Sequence, residues 1–372
     1  MTVSGPAGWL LRRTVMAPML VVLTALLMVS WLLVLLLSLL GLPLLTGGFR
    51  RRPRLRALRV VTFAWVYTLG ECLCVLGCLA LWLASGAGWW LSRPWSVRAH
   101  RRLLHAFLGA LLWLSGPVFG FRLEVEEPER HPEDLQTAAS NQPVLVLARH
   151  AGPGASFALV YLLLSRYDRD LHVVLKDALR LDPAIDLLLT RTGCTWIPSG
   201  RDAAQPSSER IGQAAAGLTD KQALLLFPEG ADWTPARHLA AVAKLHQRGL
   251  ARQARAALRM PHVLPPKAAG TVAALQGAPT ADVLVFTHCG HDELLDARAA
   301  WEALPLHEPL RMAWWRSPAQ VLRGASDDEV NDWLHRTWTD IDAWVGEQTS
   351  LADVTARAGP ASSPVATNIS PA

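Results

Sequence analysis

Charged residues are missing from a long stretch near the start of this 372-residue chain. None occurs between Val15 and Phe49, and charged residues make up 18% of the sequence against 51% hydrophobic residues. Met16 to Leu40 alone would form a helix of ~37 Å, longer than the ~30 Å hydrocarbon core of a bilayer. The apolar region of a cleaved signal peptide has only ~7–15 residues, so this run is too long for one. The run predicts a membrane span over about 16–40.

Cysteine is also rare. Of the five cysteines, Cys72, Cys74 and Cys78 lie together inside a second apolar run, where cysteine behaves as a small hydrophobic side chain. Cys194 and Cys289 are isolated. A disulfide framework is not expected, because the cysteines show no pairing pattern. His288-Cys289-Gly290-His291 is not expected to bind a metal, because no complementary carboxylate or Cys/His pair accompanies it at ligand spacing.

The second apolar run extends from Val60 to Leu91 and contains Glu71 as its one charge. It predicts a second span over about 60–85. Residues 103–121 are a weaker third candidate, which would either cross the membrane or lie along its surface. Residues 1–121 are therefore assigned to a membrane region.

Basic residues concentrate in that region. Residues 1–102 contain twelve Arg and one Glu, a charge of +11, so the remainder carries −6 of the total of +5. Nucleic-acid binding is not expected, because the globular part lacks a basic excess. The six arginines from Arg50 to Arg59 place their loop in the cytoplasm by the positive-inside tendency, and a third crossing would bring the globular domain there too. The expectation is a multi-pass protein of the cytoplasmic membrane, although the arginines from Arg93 to Arg102 argue against that third crossing.

Beyond residue 121, apolar strand-type runs alternate with helical patterns. This alternation predicts an α/β domain over 122–348 with a mostly parallel sheet flanked by helices. Trp314-Trp315 and the stretch 327–348 indicate a closing strand and helix, and residues 349–372 have the composition of a disordered tail. Strands are predicted near 144–149, 171–176, 194–198, 223–227, 262–265 and 282–288, with helices near 155–167, 182–192, 204–218, 237–259 and 268–277.

Two short stretches carry the chemistry. Val144 to Ser156 and Leu224 to Gly230 are apolar β-type runs that stop at polar, Gly- or Pro-containing loops. Open α/β sheets bind ligands at the carboxyl ends of their strands. His150 and Glu229 are therefore expected at neighbouring strand ends, one as a base and the other as a charged anchor.

These stretches resemble the motifs of the glycerolipid acyltransferases, the lysophosphatidic acid acyltransferase-like family. The first motif of that family is His-x-x-x-x-Asp, and the fifth position after His150 is Ala155. The second motif is unchanged in Phe227-Pro228-Glu229-Gly230. Cys194 to Arg201 is similar to the family's Phe-Ile-x-Arg block, and His262 to Pro266 resembles its last, Val-Pro-containing strand.

The resemblance implies transfer of a fatty acyl group from acyl-CoA or acyl carrier protein to a lysophospholipid such as 1-acylglycerol 3-phosphate, with no cofactor beyond the acyl donor. His150 would deprotonate the acceptor hydroxyl, Glu229 would order that hydroxyl or the loop carrying Arg201, and Arg201 would bind the phosphate. Gly152 and Gly154 allow backbone amides to approach a ligand closely. The other expected substrate-side residues are Phe227, Pro228 and Gly230.

Ala155 leaves open what orients the imidazole. Asp177, at the end of the next strand, and Asp232, just past Glu229, are candidate substitute carboxylates, and Ser156 is a weaker one. Alternatively, the protein has kept the fold as a lipid-binding protein without acyl transfer. A third hypothesis is a membrane serine esterase, because the sequence around Ser156 faintly resembles a nucleophile elbow.

Overall fold

The computed structural model describes most of the chain, from the first apolar helix to the last helix. The described residues are 8, 12–40, 53–127, 138, 140–152, 154–198, 205–292, 294 and 297–358.

Three long apolar helices come first: α1 (Ala17–Leu40), α2 (Pro53–Ala84) and α3 (Pro94–Phe119). A short π-helical turn over Arg12–Met16 precedes α1. Each helix is long and apolar enough to cross a membrane. Proline suits the first position of α2 and of α3, because the N–H it lacks has no partner in the first turn of a helix.

Helix α1 packs against α2 and forms the outermost layer. The indole rings of Trp31 and Trp65 stack with 5.6 Å between their centroids, and Trp31 Nε1 donates a hydrogen bond to Thr62 Oγ1 (2.8 Å). Most leucine and valine side chains on the outer side of α1 are exposed.

Helix α2 contacts the sheet-containing domain along its length. Near its start, Arg56 Nε donates to the carbonyl oxygen of Leu304 (2.9 Å). In its middle, Tyr67 Oη donates to Asp182 Oδ2 (3.3 Å), and nearer its end Cys74 is buried in a hydrophobic cluster with side chains of the domain. Helix α2 is therefore part of the packed structure and not a separate anchor.

Helix α3 is held against the domain in the same way. Arg101 forms an ion pair with Asp170, and the ring of His105 stacks on Tyr161 with 5.2 Å between centroids. The helix ends at Gly120, which takes the left-handed conformation (φ 79°) usual at a helix C-terminus.

A seven-stranded, mostly parallel sheet flanked by helices forms the core of the domain, which confirms the predicted fold class. Its strands are β1 (Leu123–Glu126), β2 (Val144–Ala148), β3 (Asp170–Lys176), β4 (Cys194–Ile197), β5 (Gln222–Leu226), β6 (Asp282–Cys289) and β7 (Leu310–Ser317). The spatial order is β1-β7-β6-β2-β5-β3-β4, and all neighbours are parallel except β6 and β7.

Helices cover both faces of this sheet. They are α4 (Ala155–Ser165), α5 (Pro183–Thr192), α6 (Ser207–Ala216), α7 (Pro235–Gln247), α8 (Ala251–Leu258), α9 (Ala268–Gly277), α10 (Ala297–Ala303), α11 (Ala319–Leu322) and α12 (Asp327–Ala358). Successive residues of a strand point to opposite faces, so Leu145 and Leu224 belong to one core and Val146 and Leu225 to the other. Strand β2 is buried at every position, as expected for a strand covered on both sides.

Two local predictions need correction, and one strand is missing from the predicted elements. The strand predicted over 262–265 is wrong, because this segment is an irregular loop in which Pro265 and Pro266 have no N–H for a sheet ladder. The helix predicted over 237–259 is two helices, α7 and α8, separated near Gly249 at φ 76°. Strand β1 is not predicted by the sequence pattern, because its four residues are too few to show a clear alternation of apolar and polar side chains.

The closing strand and helix expected around Trp314 and 327–348 are present as β7 and α12. Helix α12 continues to Ala358, past residue 349, where the tail was expected to begin. Residues 359–372 lie outside the described part of the chain.

Candidate functional site

The loops that follow β2 and β5 lie side by side at the carboxyl edge of the sheet, because these strands are parallel neighbours. The loops stay paired beyond the strands. The backbone N–H of Trp233 donates to the carbonyl oxygen of His150 (2.6 Å), and Ala151 forms an isolated parallel bridge with Trp233. This pairing brings the side chains of His150 and Asp232 together.

The imidazole of His150 has one ring nitrogen paired with a carboxylate. Its Nδ1 is 2.9 Å from Oδ1 of Asp232, and its ring lies 4.5 Å from that of Phe227, centroid to centroid. The hydrogen bond to His150 lowers the pKa of Asp232, helped by the charges of His150 and Arg237 and opposed by partial burial. A carboxylate that accepts from Nδ1–H favours the tautomer with a free lone pair on Nε2.

The other carboxylate considered for orienting this imidazole has a different partner. Asp177 forms an ion pair with Arg180 (3.2 Å). Ala155 is 1% exposed and packs in the core beneath α4. Ser156 lines the cavity beside the site and is the second residue of α4. Six residues separate the end of β2 from the start of α4, so Ser156 does not lie on the sharp strand-to-helix turn of a nucleophile elbow.

Glu229 lies behind the two loops. Its side chain is 2% exposed, and its carboxylate accepts hydrogen bonds from the backbone N–H groups of His150 (3.3 Å) and Leu264 (3.1 Å) and from the indole N–H of Trp338 (3.3 Å). Burial raises the pKa of Glu229 to about 7, against the opposing effects of Arg149 and the three donors. The carboxylate thus joins three segments of the protein. Its expected role in ordering the acceptor hydroxyl or the loop carrying Arg201 stays a prediction.

Arg149 is a site residue that sequence reasoning missed. It is fully buried, and its guanidinium is bidentate to Asp292, with N–O distances of 3.1 and 2.8 Å. It also donates to the carbonyl oxygens of His262 and His288. These bonds hold the start of the His150 loop against the end of β6 and the loop before α9. An arginine that ends an apolar strand was the available signal, since a buried charge requires such partners.

A cavity of about 830 Å³ opens beside His150, within the ~300–1,000 Å³ typical of small-molecule sites. One wall is apolar, and another carries positive charge. The apolar wall includes Leu104, Phe107, Leu108, Phe157, Val160 and Leu188, and the charged wall includes Lys176, Arg237 and Lys267. Among the predicted site residues, the cavity is lined by His150, Phe227, Pro228, Gly230 and Asp232, whereas Gly152, Gly154, Asp177 and Glu229 lie outside its lining.

Gly152 and Gly154 both have positive φ, 69° and 84°. A Cβ at Gly152 would lie 2.8 Å from the carbonyl oxygen of His291, so close backbone packing requires glycine there. Gly154 is the N-cap residue of α4 and has open space where a side chain would be. Backbone conformation explains both glycines, and a role in ligand binding stays a prediction.

Arg201, the predicted phosphate ligand, lies outside the described residues. The segment that contains it connects β4 to α6. Ile197 at the end of β4 and Ser207 at the start of α6 both line the cavity. The described chain therefore reaches the cavity on both sides of that segment.

Comparison with known families agrees with this arrangement. The family model for Acyltransferase matches residues 122–266, a range that includes His150, the Phe-Pro-Glu-Gly motif and Asp232. No curated protein and no solved structure matches the chain. Residues 122–266 thus match the acyltransferase family model and belong to a domain built on a seven-stranded α/β sheet. Helices apolar enough to cross a membrane precede this domain.

Proposed function

We propose that the protein is a membrane-associated O-acyltransferase that transfers a fatty acyl group from acyl-CoA or acyl carrier protein to a lysophospholipid of the 1-acylglycerol 3-phosphate class. The main support is the His150–Asp232 pair beside a cavity with one apolar wall, in a domain matched by the acyltransferase family. The donor and the acceptor are those that the sequence resemblance implies.

In the proposed reaction, Nε2 of His150 takes the proton of the acceptor hydroxyl while that oxygen attacks the thioester carbonyl carbon. The tetrahedral intermediate then collapses, the C–S bond breaks, and the imidazolium returns the proton to the departing thiolate. The products are the new ester and a free thiol. Asp232 holds the imidazole in the reactive tautomer and stabilises the imidazolium between the two steps.

Asp232 takes the role that the resemblance gives to the position of Ala155. A carboxylate from either loop would meet the same imidazole, but Asp232 belongs to the loop after β5. Glu229 is a positioning residue, because its carboxylate holds the backbone of His150 from the side away from the cavity. An intact second motif and an altered first motif are then compatible with one working site.

The apolar wall suits a fatty acyl chain. Its side chains come from α3, α4 and α5, and α3 is one of the three apolar helices. Each buried methylene contributes ~0.8 kcal/mol of transfer free energy, so even part of a chain would bind there favourably.

The test is an assay of purified protein with labelled acyl-CoA and lysophosphatidic acid. We expect label in the product lipid, and a fall in turnover of ~10²–10⁴-fold in His150→Ala with the protein still folded. Activity of His150→Ala within about twofold of wild type would contradict the mechanism. Binding of lipid without turnover would support the non-catalytic alternative, and release of free fatty acid blocked by Ser156→Ala would support the esterase.

The apolar helices support membrane association. Their packing against the domain helps to decide whether they cross the bilayer or lie along its surface. Because α2 and α3 contact the domain along their length, a crossing through the ~30 Å core would draw the Arg101–Asp170 pair toward hydrocarbon. We therefore favour α2 and α3 lying along the cytoplasmic surface of the membrane, with the domain on the cytoplasmic side, over the multi-pass arrangement expected from hydropathy.

Single cysteines at Arg54 and Trp89, near opposite ends of α2, distinguish the two arrangements. An impermeant thiol reagent applied to intact cells should label neither position above the background of the unsubstituted protein, and both should react after lysis. Labelling of one position alone would show that α2 crosses the membrane.

A further inference from the structure

Lys267 presents its ammonium group to the cavity beside the Phe-Pro-Glu-Gly turn. Its backbone N–H donates to the carbonyl oxygen of Pro228 (3.0 Å), and a Cβ built on Gly230 would lie only 2.6 Å from Lys267 Nζ. The absence of a side chain at Gly230 therefore leaves the space that the ammonium occupies. Two residues further along the turn, Asp232 pairs with His150, so the ammonium lies close to the proposed reacting groups.

Positive charge exceeds negative charge in the cavity lining, where Lys176, Arg237 and Lys267 face the carboxylate of Asp232. Lys176, at the end of β3, also lines the cavity, and within the described residues no salt bridge involves Lys176 or Lys267. Arg237 differs, because it interacts with the carboxylate of Asp232 (3.8 Å). Partial desolvation, followed by the charges of Lys176 and Lys244, lowers the pKa of Lys267, and the charge of Glu229 opposes this shift. Such crowding of like charges is relieved when an anion binds.

Two helix N-termini point to the same wall. Helix α9 begins directly after the lysine, and α6 begins with Ser207, which lines the cavity. The helices run side by side in the same direction, since Gly270 near the start of α9 lies against Ile211, and Gly277 at its end lies against Ala215. Their exposed N–H groups carry partial positive charge and add to the attraction for an anion.

We propose that Lys267, together with Lys176, forms a binding site for a phosphate ester of the substrate beside the His150–Asp232 pair. The proposal rests on the proposed function. A phosphate monoester carries ~−1.5 to −2 charges at neutral pH, and lysine ammonium groups bind it as point charges. The phosphate can belong to the acceptor lipid or to the acyl donor. The role expected of Arg201 comes from the family motif and not from this geometry.

The kinetic test compares Lys267→Ala and Lys267→Arg with wild type on three substrates. If the acceptor phosphate binds here, Lys267→Ala should raise the KM for lysophosphatidic acid about tenfold, leave that for monoacylglycerol within twofold, and be largely rescued in Lys267→Arg. A rise in the KM for acyl-CoA alone would assign the site to the donor phosphate. Lys221→Ala is the matched control, because Lys221 pairs with Asp168 outside the cavity.

A binding test does not depend on turnover. Full-length protein is titrated with dodecyl phosphate and with uncharged dodecyl glucoside, and tryptophan fluorescence reports binding. We expect Lys267→Ala to weaken binding of the phosphate probe about tenfold without affecting the glucoside. Lys267-dependent phosphate binding in a protein without turnover would refute the proposed function and leave this site standing. Unchanged phosphate binding and unchanged KM values in Lys267→Ala would overturn the site.

Discussion

The two walls of the cavity are built from different parts of the chain and by different means. The apolar wall comes from α3, α4 and α5 and includes tightly packed side chains such as Leu108 and Leu188, exposed by 2% and 1%. The charged wall comes mainly from later segments, and its Lys267 keeps contact with solvent. The first wall is continuous with helices that can associate with a membrane, whereas the second is continuous with the sheet edge. This difference matches a substrate that is apolar at one end and anionic at the other.

The proposed catalytic pair lines the same cavity as the two walls. His150 and Asp232 line the cavity together with residues of both walls. A lysophospholipid whose chain and phosphate occupied their respective walls would place the glycerol hydroxyl between them, near His150. Substitutions in either wall should therefore change the preference among substrates more than the rate of the chemical step.

The largest expected effect of this kind comes from filling the apolar wall. Val160→Trp adds bulk at a partly exposed lining position, and exclusion of about two methylenes at ~0.8 kcal/mol each corresponds to roughly a tenfold loss. We expect kcat/KM for a long-chain acyl donor to fall about tenfold relative to a short-chain donor. Val321→Trp, at an exposed position away from the cavity, is the control and should leave that ratio unchanged. An equal loss of kcat/KM on both donors would show that this wall does not bind the acyl chain.

The support behind the charged wall can be tested through pH. The pKa of Glu229 is about 7 in the folded protein, above its ordinary value of 4.5, so the folded state binds more protons between these values. Its contribution to stability is therefore present below about pH 4.5, decreases as the pH rises, and is lost above about pH 7. Glu229→Gln cannot titrate. In urea titrations, the free energy of unfolding of the wild type, measured relative to that of Glu229→Gln, should decrease from pH 5 to pH 7.5. A relative value that does not change with pH would argue against a buried, titrating carboxyl.

Much of the fold follows from the sequence, because buried parallel strands are continuous apolar runs. β2 and β5 are such runs, and Asp182-Pro183 marks the start of α5 through a side-chain cap in which Asp182 accepts from the N–H of Ile185 (2.9 Å). The loop at 262–265 is mistaken for a strand because its apolar residues are buried by tertiary contacts instead of sheet pairing. Local pattern does not distinguish these two causes of burial.

The site is predictable only in part. Motif spacing brings His150 and the Phe-Pro-Glu-Gly turn to one sheet edge, but it cannot choose between Asp177 and Asp232, because that choice depends on side-chain direction. Lys267 lies 37 positions beyond Gly230 in the chain, and only the packing of its loop on that turn brings the two together. The roles of Arg149 and Glu229 as buried supports are likewise set by tertiary contacts.

The smallest expected kinetic effect is that of Ala155→Asp. Because Asp232 already meets Nδ1 of His150, a second carboxylate should leave kcat within about twofold. Ala155 is buried among apolar side chains, so the charge should lower the free energy of unfolding by ~2 kcal/mol or more. Assay and urea denaturation, with Ala155→Asn as the uncharged control, check both expectations. A large gain in kcat would mean that His150 lacks an effective carboxylate in the wild-type protein.

The central claim is that Asp232 supplies the carboxylate that orients His150, and the most direct measurement is the acyl transfer rate of Asp232→Asn beside that of Asp177→Asn. The corresponding substitution in a serine protease costs ~10⁴ in kcat through the wrong histidine tautomer. We expect Asp232→Asn to lower kcat by ~10²–10⁴ with little change in KM, and Asp177→Asn to stay within about threefold of wild type. Wild-type turnover in Asp232→Asn, or a larger loss in Asp177→Asn, would contradict the account.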